Sequence, residues 1–236
     1  MATTDKALWC VVPAAGRGTR FGGEIPKQYL PIAGKPLLLH TLERLAAHPR
    51  IAGLMVVLAQ GDTHWSGLCA VAGKPVLTAD GGGERADSVS AGLRALRKQV
   101  VDDDFILVHD AARPCVLLED ISRLIETASA IDGGLLATPV RETLKRADVE
   151  AKVVATQPRD AYWRALTPQM FRYGELLAAL DAASAVGVVV TDEAMAMERM
   201  GSRPKLIEGS QSNIKVTTPE DFTLAEFILS RQASNR

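Results

Sequence analysis

Cysteine is scarce in this chain of 236 residues, limited to Cys10, Cys69 and Cys115, at no spacing that suits a metal. An odd set of isolated thiols among small or apolar neighbours excludes a disulfide framework and points to a reducing compartment. Neither sign of charge prevails: 27 Lys and Arg against 28 Asp and Glu leave a net charge of −1. That balance excludes the broad basic field by which proteins collect nucleic acid, although a local cationic pocket stays open. Long apolar runs are missing too. The stretch after the polar residues 1–6 stops at Pro13. Neither a signal peptide nor a membrane span is therefore expected, and the expected location is the cytoplasm. Internal repeats and low-complexity segments are also lacking. What is present, 47% hydrophobic and 23% charged residues, suits a globular chain able to bury a core without staples.

Short apolar runs alternate with segments of helical period. Residues 7–12, 54–59, 105–109 and 135–140 read as buried strands, with a weaker one at 75–79. Helices are predicted at 37–47, 84–100, 117–131, 172–185, 191–200 and 218–229. The last is signposted by Thr218 as cap, Pro219 at the first helical position, and Glu220 and Asp221 in the first turn. Strands that are apolar throughout are buried on both faces, which predicts an α/β domain with a mostly parallel sheet and helices on either side. The stretch 141–160 departs from this pattern. It is charged, carries β-like pieces at 143–145 and 152–155, and is too long for a plain connection. A two-stranded arm is expected there. It buries little by itself, so it should lie on something else, such as a second subunit.

Chemistry concentrates first in Val11-Val12-Pro13-Ala14-Ala15-Gly16-Arg17-Gly18-Thr19-Arg20-Phe21, followed by Pro26-Lys27-Gln28-Tyr29. A strand entering a small-residue loop lets backbone N–H groups approach phosphate. Gly16 and Gly18 start like a dinucleotide fingerprint, but Phe21 occupies the third glycine slot, which argues against nicotinamide cofactors. Arg20 and Lys27 can converge on a polyphosphate; a tight turn with two surface cations is the other reading. Gly81-Gly82-Gly83 reads either as a flexible connection or as a close approach to a ligand. Asp110 ends a buried strand, where ligands gather in open α/β sheets, or else it is a turn former paired with Arg113. Thr191-Asp192-Glu193 is by itself an N-cap with acidic first-turn residues. Lys215, in an expected strand 214–217, is either an edge residue or a phosphate ligand. His109 has no partner at ligand spacing, so a protein-built metal cage is not expected.

The N-terminal block resembles the signature of nucleotidyltransferases that join a nucleotide to a sugar or polyol phosphate. Later blocks narrow the resemblance: Gly81-Gly82-Gly83-Glu84-Arg85-Ala86-Asp87-Ser88-Val89, Val108-His109-Asp110-Ala111-Ala112-Arg113-Pro114, Ala165-Leu166-Thr167-Pro168-Gln169, Thr191-Asp192-Glu193-Ala194 and Asn213-Ile214-Lys215-Val216-Thr217. In that order they resemble the 2-C-methyl-D-erythritol 4-phosphate cytidylyltransferase family, over about residues 8 to 230. The resemblance implies one cytidylyltransferase domain over 1–236 with a Rossmann-like fold. It implies CTP binding by Pro13, Ala14, Ala15, Gly16, Gly18, Gly82, Gly83, Ser88, Asp110 and Ala111. Arg113, Thr143, Arg159, Thr167, Thr191 and Lys215 are implied for the polyol phosphate, Thr143 and Arg159 reaching a partner's site in a homodimer built on the 141–160 arm. Where this chain has Gly83 the family also carries side-chain-bearing residues, so only a main-chain contact carries over.

The implied reaction is attack of a phosphate monoester on the α-phosphorus of CTP, releasing pyrophosphate. Such a nucleophile carries about −1.5 to −2 charge near pH 7 and needs no general base. The difficulty is the meeting of two anions, and Arg20, Lys27, Arg159 and Lys215 are the expected catalytic cations. Mg²⁺, or another divalent cation, is expected on the CTP phosphates, with Asp110 as its one protein candidate. A related acceptor such as ribitol 5-phosphate is the alternative substrate.

Overall fold

Strand β1 (Leu8–Pro13) lies mid-sheet because it has no polar side chain to keep in water: Cys10, Val11 and Val12 are all fully buried. The computed structural model describes residues 8–16, 25–131 and 133–234. After β1, a 3-10 turn (Lys27–Tyr29) and a small hairpin, β2 (Pro31–Ile32) and β3 (Lys35–Pro36), lead into α1 (Leu37–Ala46). There follow β4 (Ile51–Leu58), β5 (Ala70–Val71), β6 (Lys74–Asp80), α2 (Arg85–Ala95), β7 (Phe105–Val108), α3 (Leu118–Ser129) and β8 (Gly134–Pro139). Next are β9 (Leu144–Ala147), β10 (Val153–Gln157), β11 (Trp163–Arg172), α4 (Tyr173–Ala185), α5 (Glu193–Arg199), β12 (Lys205–Glu208) and α6 (Pro219–Ser234).

Eight strands form one sheet in the order β12-β8-β11-β7-β1-β4-β6-β5. The pairs β1–β4, β1–β7, β4–β6 and β8–β12 are parallel, whereas β11 runs antiparallel to both β7 and β8. Successive residues of β1 serve opposite faces. Cys10 and Val12 join the core under α1 and α3, and Val11 joins the core under α2, α4 and α5. This is the expected α/β architecture, with a mostly parallel mixed sheet and helices on both sides. A third cluster packs α6, through Ala225 and Leu229, against Ile32, Leu37 and Val216. Pro219 is the first residue of α6, and Thr218 and Asp221 exchange side-chain and backbone hydrogen bonds at its start.

Beyond the short strands β2, β3 and β5, three features differ from the sequence reading. Strand β11, ten residues long, was hidden by Pro168, a residue that sheets tolerate only at edges and irregularities. The structure places it in a break of register between Ala165 and Gln169 against β8. Strand β12 was masked by its charged ends, since only Ile207 of its four residues is buried. The expected strand at 214–217 does not form. That segment is irregular and is held to the loop after β7 by the Val216 N–H donating to the Ala112 carbonyl at 2.8 Å.

The charged stretch 141–160 is the expected arm. Strands β9 and β10 pair only with each other, antiparallel, and most of their side chains are exposed, including Val153 and Val154.

Candidate active site

Beyond the carboxyl ends of β1 and β7 lies a cleft of about 250 Å³, bordered by Ala14, Gly16, Lys27, Gln28, Asp110 and Lys215 among others. Open α/β sheets bind ligands in this position. Gln28 shapes the mouth. Its buried amide donates to the carbonyls of Ala14 and Gly16 at 2.8 and 3.1 Å, tying the 3-10 turn to the loop after β1. That bond also sets Lys27, whose Nζ donates to the Val216 carbonyl at 2.8 Å. Lys27 and Lys215, 188 positions apart in the chain, thus border one cleft, although no periodicity relates them.

Asp110 is the charge centre. Arg85 Nε reaches its Oδ1 at 2.9 Å, and Lys215 Nζ and Arg113 Nε approach its Oδ2 at 2.9 and 3.5 Å. Burial by itself would raise its pKa, but Arg85, then Lys215 and Arg113, outweigh burial and hold it well below the usual carboxylate range. Arg85 also grips Glu193, a fully buried carboxylate, through Nη1 at 2.6 Å and Nη2 at 3.1 Å. Arg85, Arg113 and Lys215 thus face the two carboxylates Asp110 and Glu193, an excess of positive charge suited to an anionic ligand.

The sequence reading of Asp110 as a partner of Arg113 is correct but incomplete. It missed Arg85 and Glu193, whose pairing spans 108 residues. The one local signal was that both are charged residues in a helix's first turn.

Behind Asp110 the polar groups are closed among themselves. His109 is fully buried, with Nε2 at 3.0 Å from the Arg113 carbonyl and Nδ1 at 3.0 Å from Thr167 Oγ1. A carbonyl only accepts, so Nε2 carries the proton and Thr167 donates to Nδ1. Burial lowers the His109 pKa to about 4, which keeps this neutral form near pH 7. The Thr167 oxygen in turn accepts the Asp110 N–H at 3.0 Å. Thr167 and Arg113, both expected at the polyol phosphate, have these partners within the protein. The Thr167 hydroxyl proton is committed to His109, and buried Arg113 donates to the Asn213 carbonyl at 2.7 Å. Both contact Asp110, Thr167 at the Asp110 backbone N–H and Arg113 at the Asp110 carboxylate.

On the other flank the glycine loop touches the loop after β1. A Cβ on Gly81 would lie 2.7 Å from both Ala15 Cβ and Ser88 Oγ, and one on Gly82 would lie 2.3 Å from Asp87 Cβ. Close packing, rather than flexibility, therefore requires these two glycines. Gly83 has only one atom within reach, at 4.0 Å, which agrees with a position that tolerates side chains. Ser88 is buried and its hydroxyl donates to the Glu84 carbonyl at 3.2 Å. Pro13 and Ala111 border the cleft as expected, and the Ala111 carbonyl accepts from Thr41 Oγ1 at 2.8 Å.

The remaining expected residues that are described are not gathered here. Thr143 and Arg159 are exposed on the arm, where Arg159 donates to the Arg141 carbonyl, and neither borders the cleft. Thr191 is exposed just before α5, and Asp192, not Thr191, caps that helix by accepting from the Met195 N–H. Gly18 and Arg20, with Phe21, lie outside the described residues. Among the described residues, no three His, Cys, Asp or Glu side chains are grouped to hold a metal. Among the described residues, Asp110 is the single carboxylate bordering the cleft, and both its oxygens face cations. This donor set fits a divalent ion carried by ligand oxygens, with at most one oxygen from Asp110.

The chain matches, over residues 8–231, the family model described as 2-C-methyl-D-erythritol 4-phosphate cytidylyltransferase. It is 55% identical over 226 residues to the enzyme of that name from Xylella fastidiosa (strain 9a5c), covering 95% of this chain and 98% of the relative. It is 58% identical over 228 residues to that from Stenotrophomonas maltophilia (strain K279a), covering 96% and 98%. Among solved structures, the Francisella tularensis cytidylyltransferase superposes with a TM-score of 0.81 at 34% identity, covering 94% of this chain and all of that one.

Proposed function

This chain belongs to the 2-C-methyl-D-erythritol 4-phosphate cytidylyltransferase family, and we infer from that premise what its cleft does. The protein is a nucleotidyltransferase that moves CMP from CTP to 2-C-methyl-D-erythritol 4-phosphate. The products are 4-diphosphocytidyl-2-C-methyl-D-erythritol, an isoprenoid precursor, and pyrophosphate. The observation that carries the assignment of the site is the convergence of Lys27 and Lys215 on one cleft at the ends of β1 and β7.

The attacking phosphate is already ionised near pH 7, so the site needs no base, and among the described residues none stands ready. The nearby imidazole of His109 is spent on the Arg113 carbonyl and Thr167. Electrostatics is the real obstacle. Two unit charges 4 Å apart repel by about 4 kcal/mol at an effective dielectric near 20. Lys27 meets the triphosphate and the charge that grows at phosphorus in the transition state. Lys215, 40% exposed and resting on Asp110, is placed to exchange that carboxylate for the acceptor phosphate. Arg20 completes the triphosphate side in this reading. The backbone of residues 13–16, 82, 83 and 111, with Ser88, frames the nucleotide, and Thr191 meets the polyol. Mg²⁺, when bound by the CTP phosphates near Asp110, would neutralise part of their charge.

The whole chain, 1–236, acts in this reading as one domain that works in the cytoplasm. Its three thiols are free, and among the described residues no helix is long and apolar enough to cross a membrane. The arm supplies the dimer. A two-stranded sheet alone is marginal in water, and β9–β10 exposes Val149, Val153 and Val154, surface that a second subunit would cover. Thr143 and Arg159, away from their own cleft, then serve the partner's.

Two experiments test this reading. Phosphorus NMR of protein, CTP and Mg²⁺ with the methylerythritol phosphate should show pyrophosphate and a new diphosphate diester, and ribitol 5-phosphate should give far less. Equal rates with the two acceptors would reject the substrate assignment. Next, Arg159→Ala and Lys27→Ala proteins, each nearly inactive, are mixed and allowed to exchange subunits. Random pairing gives one intact site in half of the dimers, hence about a quarter of wild-type activity. No recovery in verified mixed dimers would remove Arg159 from a shared site.

A further inference from the structure

Three segments that are separate in the sequence are tied together by one guanidinium. Arg85 opens α2 directly after the glycine loop, and its side chain is 25% exposed. Its Nε holds Asp110 Oδ1 at 2.9 Å while Nη1 and Nη2 hold the two oxygens of Glu193. Glu193 is the first residue of α5, two positions after Thr191, and its side chain is only 1% exposed. A planar fork of donors can fix two carboxylates in set directions at once, which a single ammonium cannot do.

Resting on the transferase reading above, we propose that Arg85 is a positioning residue for the acceptor half of the site. It fixes the start of α5, and with it Thr191, against Asp110. It also occupies Asp110 Oδ1 and shares that carboxylate's charge, so that Lys215 on Oδ2 is held loosely enough to move to the incoming phosphate. Without Arg85, Asp110 relies on Lys215 and Arg113 alone and draws Lys215 away from the acceptor. The glycine-loop side of the nucleotide half does not depend on this link. The glycine loop is set by the packing of Gly81 on Ala15 and by the reciprocal bonds of Glu84 and Asp87 at the start of α2.

The test compares wild type with Arg85→Gln/Glu193→Gln and Arg85→Lys. The double substitution removes both charges of the buried pair together, so neither is stranded, and the two amides can still hydrogen-bond. Pyrophosphate release gives kcat and KM for the acceptor, calorimetric titration with CTP and Mg²⁺ gives nucleotide affinity, and thermal melting reports the fold. In the double variant, kcat/KM for the acceptor should fall on the order of a hundredfold. Nucleotide affinity should stay within about threefold of wild type. Arg85→Lys, which keeps the charge and loses the fork, should remain impaired. Wild-type kinetics in the double variant, or equal losses in both halves that track the melting temperature, would overturn the proposal. A wild-type protein that binds CTP yet forms no product would overturn the transferase reading, and this proposal with it.

Discussion

Lys27→Ala is expected to lower turnover on the order of a hundredfold or more at saturating CTP and acceptor, with the fold intact. The size follows from where the ammonium stands. A donor aimed at charge that appears only in the transition state lowers the barrier without deepening the ground state, so its loss falls on kcat. The fold survives because the turn has other anchors. Gln28 bonds two carbonyls, Tyr29 donates to Asp62 Oδ2 at 2.7 Å, and the Tyr29 ring stacks on His64. The bond from Lys27 to Val216 O contributes on the order of 1–3 kcal/mol as a charge-assisted hydrogen bond, which urea melts will show. Lys27→Arg keeps the charge at a different reach and should recover only part of the rate. Near-normal turnover of the alanine protein at saturation would take Lys27 out of the chemistry.

Asp110→Asn is expected to cost about 3–5 kcal/mol at pH 7, because it leaves Arg85, Arg113 and Lys215 crowded with their shared counter-charge gone. The pH dependence gives the signature. The folded pKa of Asp110 is depressed, so its stabilisation is complete above the unfolded value of about 3.9 and is lost as pH falls towards the folded value. Below about pH 4 the gap between wild type and variant should therefore narrow by about 1.4 kcal/mol per pH unit. His109 adds an earlier stage in both proteins, deeper in the variant, because the Asp110 charge that raises the folded pKa of His109 is gone. Burial lowers its pKa from 6.5 to about 4, so the unfolded chain takes up a proton first and stability falls across that interval. Urea titrations from pH 7 down to pH 3 separate the stages. A gap between the two proteins that stays constant below pH 4 would mean that Asp110 is not the titrating group.

Much of the fold could be read directly from the chain. The runs at β1, β4 and β7 contain no polar residue inside them, so a buried parallel sheet was their one consistent solution. Local stereochemistry likewise marked α6 at Thr218 and Pro219. Strand β11 was illegible for the opposite reason. Proline argues against a strand locally, and only β7 on one side and β8 on the other hold it in place. The expected strand around Lys215 failed because apolar alternation shows which residues are buried and not whether a neighbouring edge is available. Val216 is buried, against α6 and its neighbours instead of in the sheet.

At the site, the blocks of small residues, Asp110 and Lys215 stood out in sequence because glycine, acid and lysine between apolar neighbours are costly unless used, and Lys27 stood out as a cation following the small-residue loop. Arg85 and Glu193 did not, since charged residues opening a helix are ordinary. The chain by itself determined the α/β class, the loops that border the cleft and the cations that line it, because each follows from short-range pattern and residue chemistry. Tertiary structure decided that Asp110 is shared among three cations, that Thr167 and Arg113 contact it, and that Arg85 joins α2 to α5. Those outcomes depend on distances between residues up to 108 apart, and Coulomb and hydrogen-bond energies are set by distance in space, which spacing along the chain does not fix.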